Sequence, residues 1–180
     1  MVFFGNKARI EPLLQRSRYL GDATIIHTDD AVSPDDTASQ AVRRGKMTSM
    51  WLAIASVATG EADAVVSAGN TGALMAMSKL QFRTMPGVTR PAIAAFFPTT
   101  GDLMCMLDLG ANLECDAENL VQFAVLGQAF FRSLTGEATP RVGLLNVGEE
   151  EQKGHEYIRE AARRLSEAEL GVNYQAVSYT

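Results

Sequence analysis

Three short segments of the 180-residue sequence combine glycine with small polar side chains, and each follows an apolar run. They are "SAGNTG" after Val66, "DLGAN" after Leu107 and "NVGEEEQKG" after Leu145. Glycine lets the backbone turn tightly and approach a ligand, and the free N–H groups at the start of a helix carry partial positive charge. Together the segments predict a site for a phosphate-sized anion. For one segment alone, the alternative is an ordinary strand-to-helix turn, which also favours glycine and asparagine.

Lys153 is the most informative single residue, because a cation in the first turn of a helix opposes the helix dipole by roughly 0.3–1 kcal/mol. One interpretation pairs its ammonium group with the acidic run Glu149, Glu150 and Glu151, typically for about 0–1 kcal/mol at a surface. The other directs Lys153 to the anion site, where it holds phosphate or polarises an acyl carbonyl. The residues alone leave both interpretations open.

The elements that position these segments follow from the alternation of short apolar runs with runs of helical period. Helices are predicted near 7–18, 38–44, 48–59, 71–82, 117–134 and 156–169. Asp116 is the expected N-cap of the fifth helix, and Gly45 the expected C-cap of the second. Strands are predicted at 2–5, 23–28, 62–68, 91–99, 103–110, 141–148 and 172–177, the fourth and fifth joined by a turn.

Strands of continuous apolar character separated by helices predict a largely parallel sheet covered on both faces. The fold class expected is therefore α/β, as a three-layer α/β/α arrangement, with residues 1–180 in a single domain. In such sheets ligands bind at the carboxyl ends of the strands, where the three polar segments stand.

Composition excludes several classes of protein. A net charge of -5 and a pI of about 5.1 give no overall basic surface for nucleic acid. Two cysteines and two histidines at unrelated spacings predict neither a zinc site nor a disulfide framework, and no metal is expected. The sequence has no signal peptide pattern and no apolar run of about 18 residues, so a soluble, cytoplasmic, reduced protein is expected.

Familiar catalytic motifs are also missing. Lys46 follows a glycine but lacks the spacing of a phosphate-binding P-loop, and "SAGNTG" lacks that of a dinucleotide site. Ser67 has no nucleophile elbow and no assigned base, and neither cysteine is expected to act as a nucleophile. The basic cluster of Arg43, Arg44 and Lys46 is read as a solvated helix end, with an acidic partner or phosphate as the alternative.

Four segments in order carry a resemblance to a known family. They are "ADAVVSAGNTGALMA", "GVTRPAIAAFFPT", "LDLGANLECDAENLVQFAVLGQAF" and "RVGLLNVGEEEQKG". Over nearly the whole chain, the sequence resembles the middle of the bacterial phosphate acyltransferases of fatty acid and phospholipid synthesis, the PlsX family. Members usually begin with an additional strand and an "MGGD" segment and continue with a "DGFTGN" segment, so a partial family domain is expected. The last residues, "NYQAVSYT", also depart from the family pattern.

The resemblance implies an acyltransferase that moves a long-chain acyl group from acyl carrier protein to inorganic phosphate, giving acyl phosphate without a cofactor. It implies a fold similar to the isocitrate and isopropylmalate dehydrogenases, a homodimer, and transient association with the inner face of the membrane. The alternatives are a phosphotransacetylase-like enzyme that uses coenzyme A, and a non-catalytic module that binds phosphate or another ligand.

The expected roles follow from loop position and the resemblance together. Phosphate is held at the start of the helix after "SAGNTG", by Ser67, Gly69, Asn70, Thr71 and Gly72. Lys153 neutralises phosphate or the developing oxyanion, and Asp108 orients a group or relays a proton. Asn112 and Asn146 are expected to face the same cleft from the second and third segments.

Overall fold

The structure is a computed structural model that describes residues 1–101, 103–112, 114–146, 154–167 and 170–175. The chain divides into two compact units, Met1–Met85 and Pro86–Thr180. Across the described ranges, no helix combines the length and apolar character needed to cross a bilayer.

The first unit contains two strands and four helices among its residues. In chain order they are β1 (Val2–Gly5), α1 (Lys7–Leu14), β2 (Thr24–His27), α2 (Ala38–Arg44), α3 (Ser49–Ala58) and α4 (Thr71–Phe82). The strands β1 and β2 are parallel, with Val2 opposite Thr24 and Gly5 opposite His27. Each of these six elements was predicted at nearly the same bounds, except that α1 ends four residues earlier than expected.

Local capping signals explain where the helices of this unit begin and end. Thr37 and Gln40 form a capping box at the start of α2, and the Thr48 hydroxyl accepts a hydrogen bond from the Trp51 amide at the start of α3. Gly45 has a φ of 102° at the end of α2, a backbone conformation that glycine adopts without strain. The predicted C-cap is therefore confirmed.

The core of the first unit lies among α2, α3 and α4. Its buried apolar side chains are Ala41, Met50, Ile54, Ala73 and Met77. Ile54 and Met77 are completely buried, and burial of a side chain of this size contributes about 1.5–3 kcal/mol. This packing fixes the start of α4 relative to α2.

The predicted strand at 62–68 does not form. Those residues carry no strand assignment, and the Val66 side chain is 96% exposed. A strand exists only through hydrogen bonds to a neighbouring strand, and the described residues place none beside this segment. The apolar run was correctly recognised, but its interpretation as a buried strand was wrong.

The second unit contains four short strands and two long helices in its described residues. They are β3 (Ala94–Pro98), β4 (Leu103–Leu107), α5 (Ala117–Thr135), β5 (Arg141–Val142), α6 (Glu156–Glu167) and β6 (Asn173–Tyr174). The pair β3 and β4 is antiparallel, which confirms the two strands joined by a turn. The pair β5 and β6 is parallel and two residues long in the described residues. The predicted strands at 141–148 and 172–177 extend to residues 147–148 and 176–177, which lie outside the described residues.

Helix α5 covers the antiparallel pair with its aromatic face. The ring of Phe96 lies 5.7 Å from that of Phe130 and 5.9 Å from that of Phe131, between centroids. Gly127 faces β4 closely: a Cβ at this position would lie 3.0 Å from Leu107 Cδ1. Asp116 caps α5 as predicted, by accepting a hydrogen bond from the Asn119 amide at 2.8 Å.

The α/β fold class is confirmed, because parallel strand pairs and helices alternate along the chain. Within the described ranges, however, the strands form separate two-stranded sheets, β1 with β2, β3 with β4 and β5 with β6, rather than one continuous sheet. A continuous sheet requires ladder hydrogen bonds between these pairs, and the apolar character of a run does not specify such partners.

Candidate functional site

The side chain of Asn70 joins the start of α4 to the segment 33–36. Its Oδ1 accepts a hydrogen bond from the Ala73 amide at 2.9 Å, which makes Asn70 the N-cap of α4. Its Nδ2 donates to the carbonyl oxygens of Asp36 at 2.7 Å, Pro34 at 3.1 Å and Ser33 at 3.4 Å. Both ends of the amide are therefore engaged by the chain itself.

The segment 33–36 has a second anchor on α2. The Asp36 carboxylate, only 11% exposed, contacts Arg44 through two bonds, Oδ2 to Nε at 3.0 Å and Oδ1 to Nη2 at 3.1 Å. The same carboxylate accepts a hydrogen bond from the Ser33 amide at 2.8 Å, which closes the segment on itself. Arg44, which the sequence left as a solvated helix end or as a contact for an acidic partner or phosphate, is paired with Asp36 of its own chain.

The rest of the "SAGNTG" segment exposes backbone groups. Gly69 donates its amide to Ser67 Oγ at 3.2 Å, and a Cβ on Gly69 would lie 3.1 Å from Met50 Cε. Thr71 and Gly72 are exposed in the first turn of α4, and nothing in the described part of the chain accepts a hydrogen bond from their amides. Free first-turn amides are the groups that bind an anion at a helix start.

The sequence predicted that the glycines of this segment allow a tight turn of the backbone, and their φ values differ from that prediction. Neither Gly69 nor Gly72 has a positive φ, so neither is needed for a left-handed backbone conformation. The missing Cβ of Gly69 instead leaves room for the end of the Met50 side chain, which would have to shift by a few tenths of an ångström if a Cβ were present. The glycine serves packing between α3 and the segment rather than a tight turn.

Asp108 and Asn112 lie together after β4, as the sequence predicts for one loop. Asp108 Oδ1 accepts a hydrogen bond from the Ile93 amide at 2.8 Å. Its Oδ2 accepts from the Asn112 amide at 2.7 Å and from Asn112 Nδ2 at 3.1 Å, and that Nδ2 also donates to the Pro91 carbonyl at 2.9 Å. The carboxylate therefore orders the loop by holding it against residues 91–93.

Asn146 contacts Gly154, which the sequence analysis did not select. Gly154 has a φ of 89°, and a Cβ there would lie 2.9 Å from Asn146 Cγ and 3.0 Å from its Nδ2. Only glycine fits this position, for both reasons. Lys153 and the run Glu149, Glu150 and Glu151 lie outside the described residues, so the two interpretations of Lys153 remain as the sequence left them.

The predicted site residues are divided between the two units. Ser67, Gly69, Asn70, Thr71 and Gly72 belong to the first unit, and Asp108, Asn112 and Asn146 to the second. Within each unit the structure brings together the groups described above. The convergence of all three segments in one cleft stays a prediction.

Buried amides at the start of α5 were missed by the sequence analysis. The Gln122 Oε1 accepts hydrogen bonds from the Thr89 amide at 2.9 Å and hydroxyl at 3.0 Å, and Asn119 Nδ2 donates to the same hydroxyl at 3.1 Å. These contacts fix the segment that precedes β3 and contains Pro91. The signal in the sequence was a pair of amides three residues apart within an apolar helix face.

The two cysteines have the environment of unreactive thiols. Burial raises the pKa of Cys105, and at Cys115 burial is the largest cause of a raised pKa, followed by the charge of Asp108. A raised pKa keeps the thiol protonated at neutral pH, which lowers its nucleophilicity. This agrees with the sequence-based expectation that neither acts as a nucleophile.

An open cavity of about 630 Å³ lies beside the first turns of α5 and α6, and its two arginines are bonded to neighbouring groups of the chain. It is lined by Ala117, Glu156, Tyr157, Arg159, Glu160 and Arg163. Arg163 forms ion pairs with Glu160 and Glu167, and Arg159 donates to the Gly154 carbonyl at 2.8 Å. The cavity contains none of the predicted site residues.

Comparison with protein families identifies the class of this chain. Residues 1–179 match the family described as fatty acid synthesis protein, and the chain belongs to this family.

Curated relatives of the chain are named phosphate acyltransferase. The chain is 56% identical to a phosphate acyltransferase of Rhodospirillum centenum, over 97% of this chain and 49% of the relative. It is 52% identical to that of Parvibaculum lavamentivorans, over 96% of this chain and 48% of the relative. It is 48% identical to the phosphate acyltransferase of Paramagnetospirillum magneticum, over 96% of this chain and 50% of the relative. The resemblance drawn from the four motifs is confirmed, and the chain spans about half the length of the curated relatives it matches.

Proposed function

We propose that the protein acts as a phosphate acyltransferase, which transfers a long-chain acyl group from acyl carrier protein to inorganic phosphate. The observation that carries this proposal is the 48–56% identity, over almost the whole chain, to relatives named phosphate acyltransferase. The acyl donor and the acyl phosphate product, which would serve phospholipid synthesis, come from the resemblance of the motifs to the family.

The reaction needs no covalent intermediate on the protein. A phosphate oxygen attacks the carbonyl carbon of the thioester, and the tetrahedral intermediate then breaks its carbon–sulfur bond. The carrier thiolate leaves and takes up a proton. The protein must hold phosphate in line with the carbonyl and stabilise the oxyanion, and each contribution is worth several kcal/mol.

The first-turn amides of Thr71 and Gly72, with the Thr71 and Ser67 hydroxyls beside them, supply the donors for phosphate in this proposal. Their exposure and their lack of acceptors in the described chain support the assignment. Lys153 neutralises phosphate or the oxyanion. Asp108 and Asn112 order the second segment, and Asn146 borders the site from the third.

The test measures acyl phosphate directly. The purified protein is mixed with palmitoyl acyl carrier protein, phosphate and hydroxylamine, which converts acyl phosphate to a hydroxamate. Reactions without phosphate correct for direct attack of hydroxylamine on the thioester. Phosphate-dependent hydroxamate supports the proposal, and its loss in Lys153→Ala but not in Lys46→Ala supports the role of Lys153.

Two other results would overturn the proposal. Faster product formation from palmitoyl coenzyme A than from the carrier protein would indicate a phosphotransacetylase-like enzyme. Phosphate binding, measured by calorimetry, without any hydroxamate would indicate a non-catalytic binding module.

The wider architecture belongs to the same proposal. It comprises a single domain with three α/β/α layers, similar to the isocitrate and isopropylmalate dehydrogenases, a homodimer, a cytoplasmic location and peripheral contact with the membrane. The α/β class and the family membership support it. Sedimentation equilibrium tests the dimer, and co-sedimentation with anionic phospholipid vesicles tests the membrane contact.

A further inference from the structure

Asn70 is a predicted phosphate-binding residue, but its side chain has no spare donor for phosphate, because both of its N–H groups are engaged by the chain itself. Its oxygen caps α4 through the Ala73 amide, and its two N–H groups are shared among three main-chain carbonyls. To contact phosphate, the amide would have to release at least one of these carbonyls. An unsatisfied carbonyl in this half-buried place is itself unfavourable.

The three carbonyls explain why an amide stands here. The oxygens of Ser33, Pro34 and Asp36 converge on one nitrogen, with the shortest distance at 2.7 Å. Converging oxygens repel one another unless a donor lies between them. Serine, threonine and aspartate also cap helices, but none of them combines the capping acceptor with two donated hydrogens.

The segment they belong to borders both α2 and α4. It leads directly into the capping box of α2 at Thr37, and Arg44 at the far end of α2 holds Asp36 from the other side. A Cβ on Gly72 would lie 3.9 Å from the Ala38 Cβ, so the first turns of α2 and α4 are in contact. Movement of segment 33–36 would therefore reach the first turn of α4.

We propose that Asn70 is a positioning residue rather than a phosphate ligand. It fixes segment 33–36 against the start of α4 and so holds the amides of Thr71 and Gly72 in the orientation that binds phosphate. This inference rests on the proposed function, because it assigns how the phosphate site of that reaction is kept in place.

The test uses Asn70→Ser, which keeps a capping oxygen for the Ala73 amide and loses all three donations. The matched control is Asn6→Ser, because Asn6 caps α1 by accepting from the Arg9 amide at 3.1 Å and also donates to Asp29. In Asn70→Ser the KM for phosphate rises about tenfold while kcat changes less than about twofold, the pattern of lost binding without a lost chemical step. Asn6→Ser leaves both unchanged.

A second variant separates positioning from direct contact. Arg44→Gln loosens the same segment from its other anchor and also raises the KM for phosphate. If Asn70 acts through the segment, the double variant shows less than the product of the two single effects. Multiplicative effects would mean that Asn70 contacts phosphate itself. A lowered melting temperature with an unchanged KM would mean that Asn70 is only a helix cap. Either result overturns the proposal.

Hydrogen exchange tests the role of Asn70 without a measurement of activity, so its result does not depend on the proposed function. The amides of Ser33, Asp36 and Thr37 are all hydrogen-bonded within the segment and its cap. In Asn70→Ser they exchange faster, whereas Asn6→Ser leaves them unchanged. If no acyl phosphate forms at all, the proposed function fails, and the exchange rates alone still decide whether Asn70 holds the segment.

Discussion

At the residue scale, the side chains selected for chemistry hold the backbone of their own loops. The Asp108 carboxylate accepts hydrogen bonds from Ile93 and from two nitrogen atoms of Asn112. A carboxylate is acceptor-only when ionised, which suits three donors arriving from the chain. Its contribution to a reaction would then be the shape of the loop after β4.

Asp108→Asn should destabilise the protein by about 1–3 kcal/mol, because the new NH₂ group would face the donors of Asn112. Urea unfolding at neutral pH measures this change. Asp22→Asn, which alters an exposed carboxylate, is the control and should have no effect. Unchanged stability in Asp108→Asn, together with lost activity, would instead indicate a proton relay.

Gly154→Ala should destabilise the second unit more than Gly87→Ala does. Both glycines have similar positive φ values, 89° and 83°, but a Cβ meets Asn146 only at position 154. Strain of this kind costs about 1–3 kcal/mol, and the difference between the two variants isolates the contact with Asn146. In the background of Asn146→Ala, the difference in stability between Gly154→Ala and Gly87→Ala should disappear. Thermal unfolding of the two glycine variants, each with and without Asn146→Ala, would show this.

The sequence places Asp108 and Asn112 on one segment, but it does not predict the hydrogen bonds between them. Asp108 and Asn112 are four residues apart, so a loop pattern can place them together. Asn70 and Asp36 are 34 residues apart, and no spacing rule predicts that one amide reaches three carbonyls of another segment. The hydrogen-bond partners of Asn70 could therefore be found only from the fold.

At the element scale, the helices followed the sequence closely because their end signals are local. Thr37, Thr48, Asn70 and Asp116 all cap helices through their own side chains. Strands depend on distant partners, and the apolar run at 62–68 has none in the described residues.

Helix α6 carries a network of ion pairs in which Glu160 contacts Arg163 and Arg164. The stability that this network contributes should depend on pH. Hydrogen bonds from Arg163 and then Arg164 lower the pKa of Glu160 from 4.5 to about 2. Because the folded pKa lies below the unfolded one, the stabilisation is complete above about pH 4.5 and is lost as the pH falls towards 2. Arg164 also bridges to Glu118 on α5 at 2.7 Å, so the network joins two helices.

An NMR titration of the Glu160 carboxyl group should therefore have its midpoint near 2. Arg163→Gln should move the midpoint up towards 4.5, and Arg16→Gln, which lies outside the network, should not. Concentrated salt should also raise the midpoint, because the pair is exposed and screened. A midpoint near 4.5 in the unmodified protein would contradict the network.

At the scale of the whole molecule, each compact unit has its own buried residues. Ile54 lies in the core of the first unit, and Leu165 on α6 is buried in the second. The single domain expected from the sequence stays a prediction, since alternation of strands and helices along the chain does not say where contacts concentrate. Cooperativity of unfolding is the property that distinguishes the two descriptions.

Ile54→Ala should lower the free energy of unfolding by about 2–5 kcal/mol, because it leaves a cavity where the side chain is completely buried. Hydrogen exchange shows which amides lose protection. In the single domain proposed above, Ile54→Ala and Leu165→Ala each lower protection in both units. Loss confined to the unit that carries the substitution would contradict a single cooperative domain.

The contacts of Asn70 have a further consequence for how freely this region can vary. The amide contacts only main-chain oxygens of residues 33–36, which every amino acid possesses. The hydrogen bonds donated by Asn70 therefore depend on the path of that segment, which the Asp36 carboxylate helps to fix, and not on the side chain of Asp35. A designer could rewrite the surface beside the helix start, for example at the exposed Asp35, to change its charge without disturbing the asparagine that holds it.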